Sequence, residues 1–232
     1  ELAVPPLAQR PEDVLPLACA SPTGGTHAYN EANLGSGFLE EFSYDQTEID
    51  LVKEYGPLTN NMHTDLHECL GHGSGQLLEG VSSEALKNYH STMEETRADL
   101  FALYFIMDPK MIELGLLPNE EASKAQYISY IRNGIMTQLR RIEPGDNIAQ
   151  AHMRNRQLIA KWCYEHGEAE NVIEKIVKEG KTYYHINDFS KLRALFGELL
   201  AEVQRIKSEG DYDAAKNLVE KYGVIVDTDL HK

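Results

Sequence analysis

Basic residues are scarce in this chain, with 22 Lys and Arg against 37 Asp and Glu and a net charge of −15. A nucleic-acid partner demands a positive footprint that neutralises phosphates, and no cluster of Lys or Arg supplies one, so none is expected. Cysteine is scarce too. Cys19, Cys69 and Cys163 form no C-x-x-C pair, which argues against a disulfide framework and a cysteine-built zinc site. A reducing compartment, the cytoplasm, is the corresponding expectation. No apolar run approaches the roughly 18–20 residues that a membrane span needs, so no membrane partner is expected. The sequence starts at Glu1 without a charged-then-apolar leader, as expected of a processed chain or an excised piece.

What remains is an ordinary globular composition, 42% hydrophobic and 25% charged over 232 residues. That length can bury one core or form one lobe of a larger protein. Residues 1–36 carry five prolines and the pair Gly24-Gly25, and read as an extended segment packed on the domain that follows. Residues 37–232 read as a mainly α domain with little or no β structure. A first helix with Ile49, Val52 and Tyr55 on one face is expected to stop at Gly56-Pro57. A second carries His67 and His72 and ends at Gly73-Ser74-Gly75. A third covers 91–107, with Ser91 and Glu94 at capping-box spacing. Further helices are expected over Asn119–Ile142, Asn147–Glu165, Glu168–Glu179, Asp188–Ser208 and Asp211–Tyr222, with Thr182–Ile186 as the one candidate strand.

The chemistry concentrates in His67-Glu68-Cys69-Leu70-Gly71-His72. A common metallopeptidase helix carries two histidines four apart, with a glutamate beside the first as general base. Here they are five apart, which on a regular helix turns the second ring about 140° from the first. One extra residue in the turn, a π-bulge, restores a shared face, and Gly71 sits where crowding is greatest. Catalytic zinc generally takes three protein ligands. The next acidic run is Glu94-Glu95-Thr96-Arg97-Ala98-Asp99; if Glu95 is the third ligand, Asp99 lies one turn away and can accept a ring N–H from a ligating histidine. Glu94 could equally close the capping box with Ser91. Arg97 and Asp99 could equally form a solvated face.

Together these two motifs resemble the dipeptidyl peptidase III family of zinc exopeptidases, in which His-Glu-x-x-Gly-His is followed by Glu-Glu-Cys-Arg-Ala-Glu. The short gap between them is similar to the bacterial branch, and the resemblance runs from about Gly25 to Tyr222. It implies one zinc per chain on His67, His72 and Glu95, Glu68 as general base, and Glu94 and Asp99 as carboxylates that support the ligands. Thr96 replaces a motif cysteine that is not a ligand. Asp99 is one methylene shorter than the family's glutamate, which predicts a looser bond to its histidine. The segment Gln150–Arg156 resembles the one whose histidine faces the scissile peptide, so His152 is implied as the oxyanion stabiliser and Arg156 as a substrate contact. Asn30 matches the second of two asparagines that read the substrate's free amine, whereas His27 stands in place of the first.

The resemblance thus implies release of N-terminal dipeptides from short peptides. It also implies a two-lobed parent, of which this chain is the helical lobe and whose N-terminal lobe is missing. Two alternatives stay open from the residues themselves. One is a zinc endopeptidase or deformylase-like hydrolase. The other is a non-catalytic peptide-binding or structural zinc domain.

Overall fold

The computed structural model describes residues 37–230; the extended reading of 1–36, and Asn30 with it, lies outside them. Eight α-helices are described: α1 Phe38–Phe42, α2 Gln46–Leu66, α3 His90–Ile106, α4 Pro109–Glu113, α5 Glu120–Ile135, α6 Ala151–His166, α7 Phe189–Glu209 and α8 Tyr212–Val219. A single antiparallel hairpin, β1 Ile173–Lys178 and β2 Lys181–Ile186, is the sheet among them. The mainly α expectation holds.

Helix α3 is the hub. Met93, Ala98, Leu100, Ala102, Leu103 and Ile106 are all buried, on several sides of the helix. A helix buried on several sides has to be covered on each of them, and α2, α6, α7 and the turn after α2 pack against it. Helix α5 adds Ala122, Ala125, Tyr127, Ile128 and Ile131 to the same core, packed on α2 and α6.

Helix starts follow side-chain chemistry. Asp45, Asp108, Asn119, Asp188 and Asp211 each accept a backbone N–H from the first turn of α2, α4, α5, α7 and α8. Such a cap satisfies a donor that the helix itself leaves open. Helix α7 ends at Gly210, whose φ of 67° closes the helix without a Cβ penalty.

Several expectations are corrected. Helix α2 does not stop at Gly56-Pro57 but continues to Leu66 with Pro57 inside it. Proline removes one ladder bond, yet burial of Val52, Gly56 and Thr59, and packing of α2 on α5, hold the helix across the gap. Thr59 adds a hydroxyl bond to the Tyr55 carbonyl at 3.0 Å. The predicted helix over Glu168–Glu179 is a 3-10 turn at Glu168–Glu170 followed by β1. Glu179 and Gly180 both have positive φ, 53° and 78°, as a two-residue hairpin turn requires. Ile173, Ile176 and Val177 then pair with the expected strand β2 rather than winding into a helix. The Asn147–Glu165 helix begins later, at Ala151, and the Asn119–Ile142 helix tightens into a 3-10 segment at Thr137–Arg141.

No capping box forms at Ser91, because α3 begins one residue earlier with no side-chain cap. Cys163 is a buried free thiol. No helix among the described residues is long and apolar enough to cross a membrane.

Candidate metal centre

The sequence His67–His72 forms one wide turn with π geometry at the end of α2. The five-residue spacing predicts this widening, which returns both rings to one side of the chain. The rings end 4.7 Å apart between centroids, nearly perpendicular at 86°. Gly71 has a second role beyond relief of crowding. A Cβ there would stand 2.6 Å from the Ala98 Cα and 2.7 Å from its Cβ, so the missing side chain is what lets the π turn lie against α3.

That approach brings Glu95 between the two rings. His67 Nε2 lies 3.4 Å from Glu95 Oε2, and His72 Nε2 lies 3.9 Å from Glu95 Oε1. The nitrogens that face away are held by separate carboxylates. His67 Nδ1 donates to Asp99 Oδ1 at 2.7 Å, and His72 Nδ1 to Glu94 Oε1 at 3.2 Å. With each Nδ1 committed as donor, Nε2 is the nitrogen left to face Glu95, and it is the one that would give its lone pair to a metal once deprotonated. Glu95 Oε2 is itself buried and closes no hydrogen bond. Ligand atoms of His67, His72 and Glu95 all fall within 4.8 Å of one another. Two imidazoles and a carboxylate, converging on a buried oxygen that lacks a donor, fit a divalent cation of the zinc type.

The supporting carboxylates are strongly tied. Asp99 is buried, and its pKa stands well below the usual value: burial would raise it, but the ring N–H groups of His63 and His67 outweigh that cost. Its shorter side chain does not loosen the bond to His67, because the close contact at Gly71 and Ala98 removes the distance to be spanned. Glu94 is likewise pushed down to about 2 despite burial, by Arg97 and Lys207. Arg97 is fully buried and donates to Glu94, the Gly71 carbonyl and the Ser74 hydroxyl, so it fastens the π turn to α3. Neither Arg97 nor Asp99 belongs to a solvated face. Burial would lower the pKa of His67, yet Asp99 and Glu95 raise it to about 10 in the metal-free protein.

Other candidates gather at the same place. Glu68, His152 and Arg156 line one cleft of about 940 Å³ with His67 and Asp99. His152, at the N-terminal end of α6, sets its Nε2 3.3 Å from Glu95 Oε2, and its side chain is 64% exposed. His63, Tyr130 and Asn155 all contact Asp99 and carry no motif that singles them out. His63 alone left a trace in the sequence, four positions before His67 on the same helix face.

A family model for peptidase family M49 matches residues 81–231, well over half of the chain. The chain belongs to peptidase family M49. The matched stretch includes Glu94, Glu95, Asp99 and His152 and begins after the histidine pair. Mouse dipeptidyl peptidase 3 is 25% identical over 229 residues, covering 82% of this chain and 30% of the mouse protein. Nudix hydrolase 3 of Arabidopsis thaliana is 29% identical over 212 residues, covering 87% of this chain and 25% of that protein. Among solved structures, a dipeptidyl peptidase III from Caldithrix abyssi superposes with a TM-score of 0.67 at 25% identity, over 87% of this chain and 36% of that one. This M49 chain therefore spans about a third or less of the length of the relatives it matches.

Proposed function

We propose that this chain is the metal-holding part of a zinc-dependent dipeptidyl peptidase that removes N-terminal dipeptides from short peptides. The observation that carries the reading is the pair of histidines presenting Nε2 to the two oxygens of Glu95 while separate carboxylates hold each Nδ1. His67, His72 and Glu95 are the zinc ligands in this reading, and Asp99 and Glu94 orient the two imidazoles. Bound zinc would lower the pKa of a water molecule and polarise a carbonyl.

Glu68, on the cleft beside His67, is the base that takes a proton from the attacking water and returns it to the leaving amine. His152 donates to the developing oxyanion, and Arg156 holds the substrate along the cleft. Asn30 reads the free amine. A further lobe of the parent protein supplies the opposite wall, which orients the peptide and excludes water.

The structural-zinc alternative requires four protein ligands, whereas among the described residues the group around Glu95 offers His67, His72 and Glu95. The endopeptidase alternative separates by product. Full-length parent protein, given matched peptides with free and acetylated N-termini, should release dipeptides from the free ones only. Equal cleavage of both, or internal cleavage, would show an endopeptidase. One bound zinc without turnover of any peptide would show a structural site.

A further inference from the structure

Asp99 lies at the junction of four helical elements, and all four of its acceptor directions are taken. Oδ1 accepts from His67 Nδ1 at 2.7 Å and from His63 Nε2 at 3.0 Å. Oδ2 accepts from Tyr130 Oη at 2.7 Å and from Asn155 Nδ2 at 2.6 Å. Tyr130 and Asn155 fix one oxygen and His63 helps fix the other, so the carboxylate has no room to rotate about its own axis.

His63 differs from the other donors in what it gives up. Its Nδ1 is buried and makes no hydrogen bond, and a polar atom left unpaired in the interior costs stability. Its ring lies 5.6 Å from the Tyr130 ring and 6.3 Å from the His67 ring between centroids. An apolar side chain would fill this place without an orphaned nitrogen. The single polar tie of His63 is the bond to Asp99, and that tie is directed at the oxygen that holds His67.

We infer that His63 is a positioning residue for the metal centre. By donating to Asp99 Oδ1 it fixes the carboxylate in the rotation that holds the His67 ring with Nε2 toward Glu95. This rests on the reading of His67, His72 and Glu95 as metal ligands. Without His63, Oδ1 keeps a buried lone pair unsatisfied and a route to rotate, and the His67 ring loses its fixed direction. Removal of an outer partner of this kind typically lowers metal affinity about 10- to 100-fold.

The test uses the full-length parent protein with Zn2+ alone as probe, in competition with a chelating dye, and compares wild type, His63→Leu and His63→Gln. Glutamine can keep an N–H near the position of Nε2, whereas leucine fills space without a donor. The expected result is one zinc per chain in all three, affinity at least about tenfold weaker in His63→Leu, a parallel fall in kcat, and recovery of most of both in His63→Gln. Should His63→Leu fail to fold, His63→Asn carries the same comparison, being one methylene too short to reach Asp99.

Zinc affinity and kcat within twofold of wild type in His63→Leu or His63→Asn would overturn the inference and leave the metal site standing. Equal losses in the Leu and Gln variants would make His63 a packing residue. Two zinc ions per wild-type chain would assign His63, Asp99 and His67 to a second cation, since these three groups also lie within ligand distance of one another. No zinc in the wild type would overturn the metal reading and this inference together.

Discussion

Gly71 and Ala98 meet so closely that an added Cβ on the glycine would stand 2.6 Å from the Ala98 Cα. The contact is backbone against backbone, so no side chain can swing aside to relieve it. It sets the spacing between the π turn that carries both histidines and the helix that carries Glu95 and Asp99. Gly71→Ala should therefore push these elements apart. Overpacking of this kind costs about 1–3 kcal/mol, and zinc affinity should fall by more than the change in melting temperature alone suggests. Unchanged zinc affinity in a competition titration would show that the spacing is not critical.

Glu68 separates binding from turnover. In the full-length parent, Glu68→Gln should keep one zinc per chain while kcat falls about a hundredfold or more, the usual share of a general base. Near-normal activity removes Glu68 from that role, and loss of zinc would make it a ligand.

Protons and metal compete for His67. Its pKa, raised to about 10 in the metal-free protein, lies above its ordinary value near 6.5. A raised histidine contributes stability that is complete below the ordinary value and is lost as pH climbs through about 10. The melting temperature of the metal-free chain should accordingly decline over that window. Glu94, lowered to about 2, works in the opposite sense, and its contribution disappears as pH falls toward that value. Zinc requires the neutral imidazole, so at pH 8 binding should release about one proton from His67. Calorimetry in two buffers of different ionisation heat reads this directly, and identical apparent enthalpies would refute it.

Arg97 is the test of how the π turn is fastened. Arg97→Met removes the guanidinium from the Gly71 carbonyl, which keeps the Ser74 N–H and hydroxyl, and leaves Glu94 with Lys207 as its remaining cation. Breaking one side of a buried pair costs about 3–5 kcal/mol, with Lys207 moderating the loss. Denaturant unfolding of this chain, with and without the substitution, measures it, and a change below about 1 kcal/mol would show that Arg97 is a spectator.

The isolated chain should bind zinc yet hydrolyse peptides poorly. The three candidate ligands sit on the end of α2 and the first turns of α3, elements that pack directly on one another. Orientation of a peptide against them, worth several kcal/mol of barrier lowering, asks for a second wall. Chain and full-length parent, assayed at equal zinc occupancy on a dipeptidyl-naphthylamide, should differ widely in rate; comparable rates would dismiss the second wall.

The sequence carried the candidate metal centre unevenly. His67 and His72 were legible because their spacing along the chain is itself a geometric constraint, and the five-residue gap led directly to the π turn, whereas Glu95 entered as a third ligand through the family resemblance. Asp99 was legible as one turn from Glu95. Tyr130 and Asn155 were not, since they reach Asp99 from α5 and α6 and no local spacing connects them to it. Helix α2 outran the Gly56-Pro57 stop because tertiary packing overrode a local signal. The β1 strand was misread because Ile173, Ile176 and Val177 fit a helical face as readily as an alternating one, and the Glu179-Gly180 turn that decides between them is short.

Asp99 draws donors from α2, the π turn, α5 and α6 while sitting on α3. A knot of this kind cannot loosen at one end alone. Amide hydrogens near the metal centre should exchange with the slowest class in the chain, through whole-lobe opening rather than local fraying. Any element that closes over this cleft would then have to move as a body against the cluster and leave the cluster itself still.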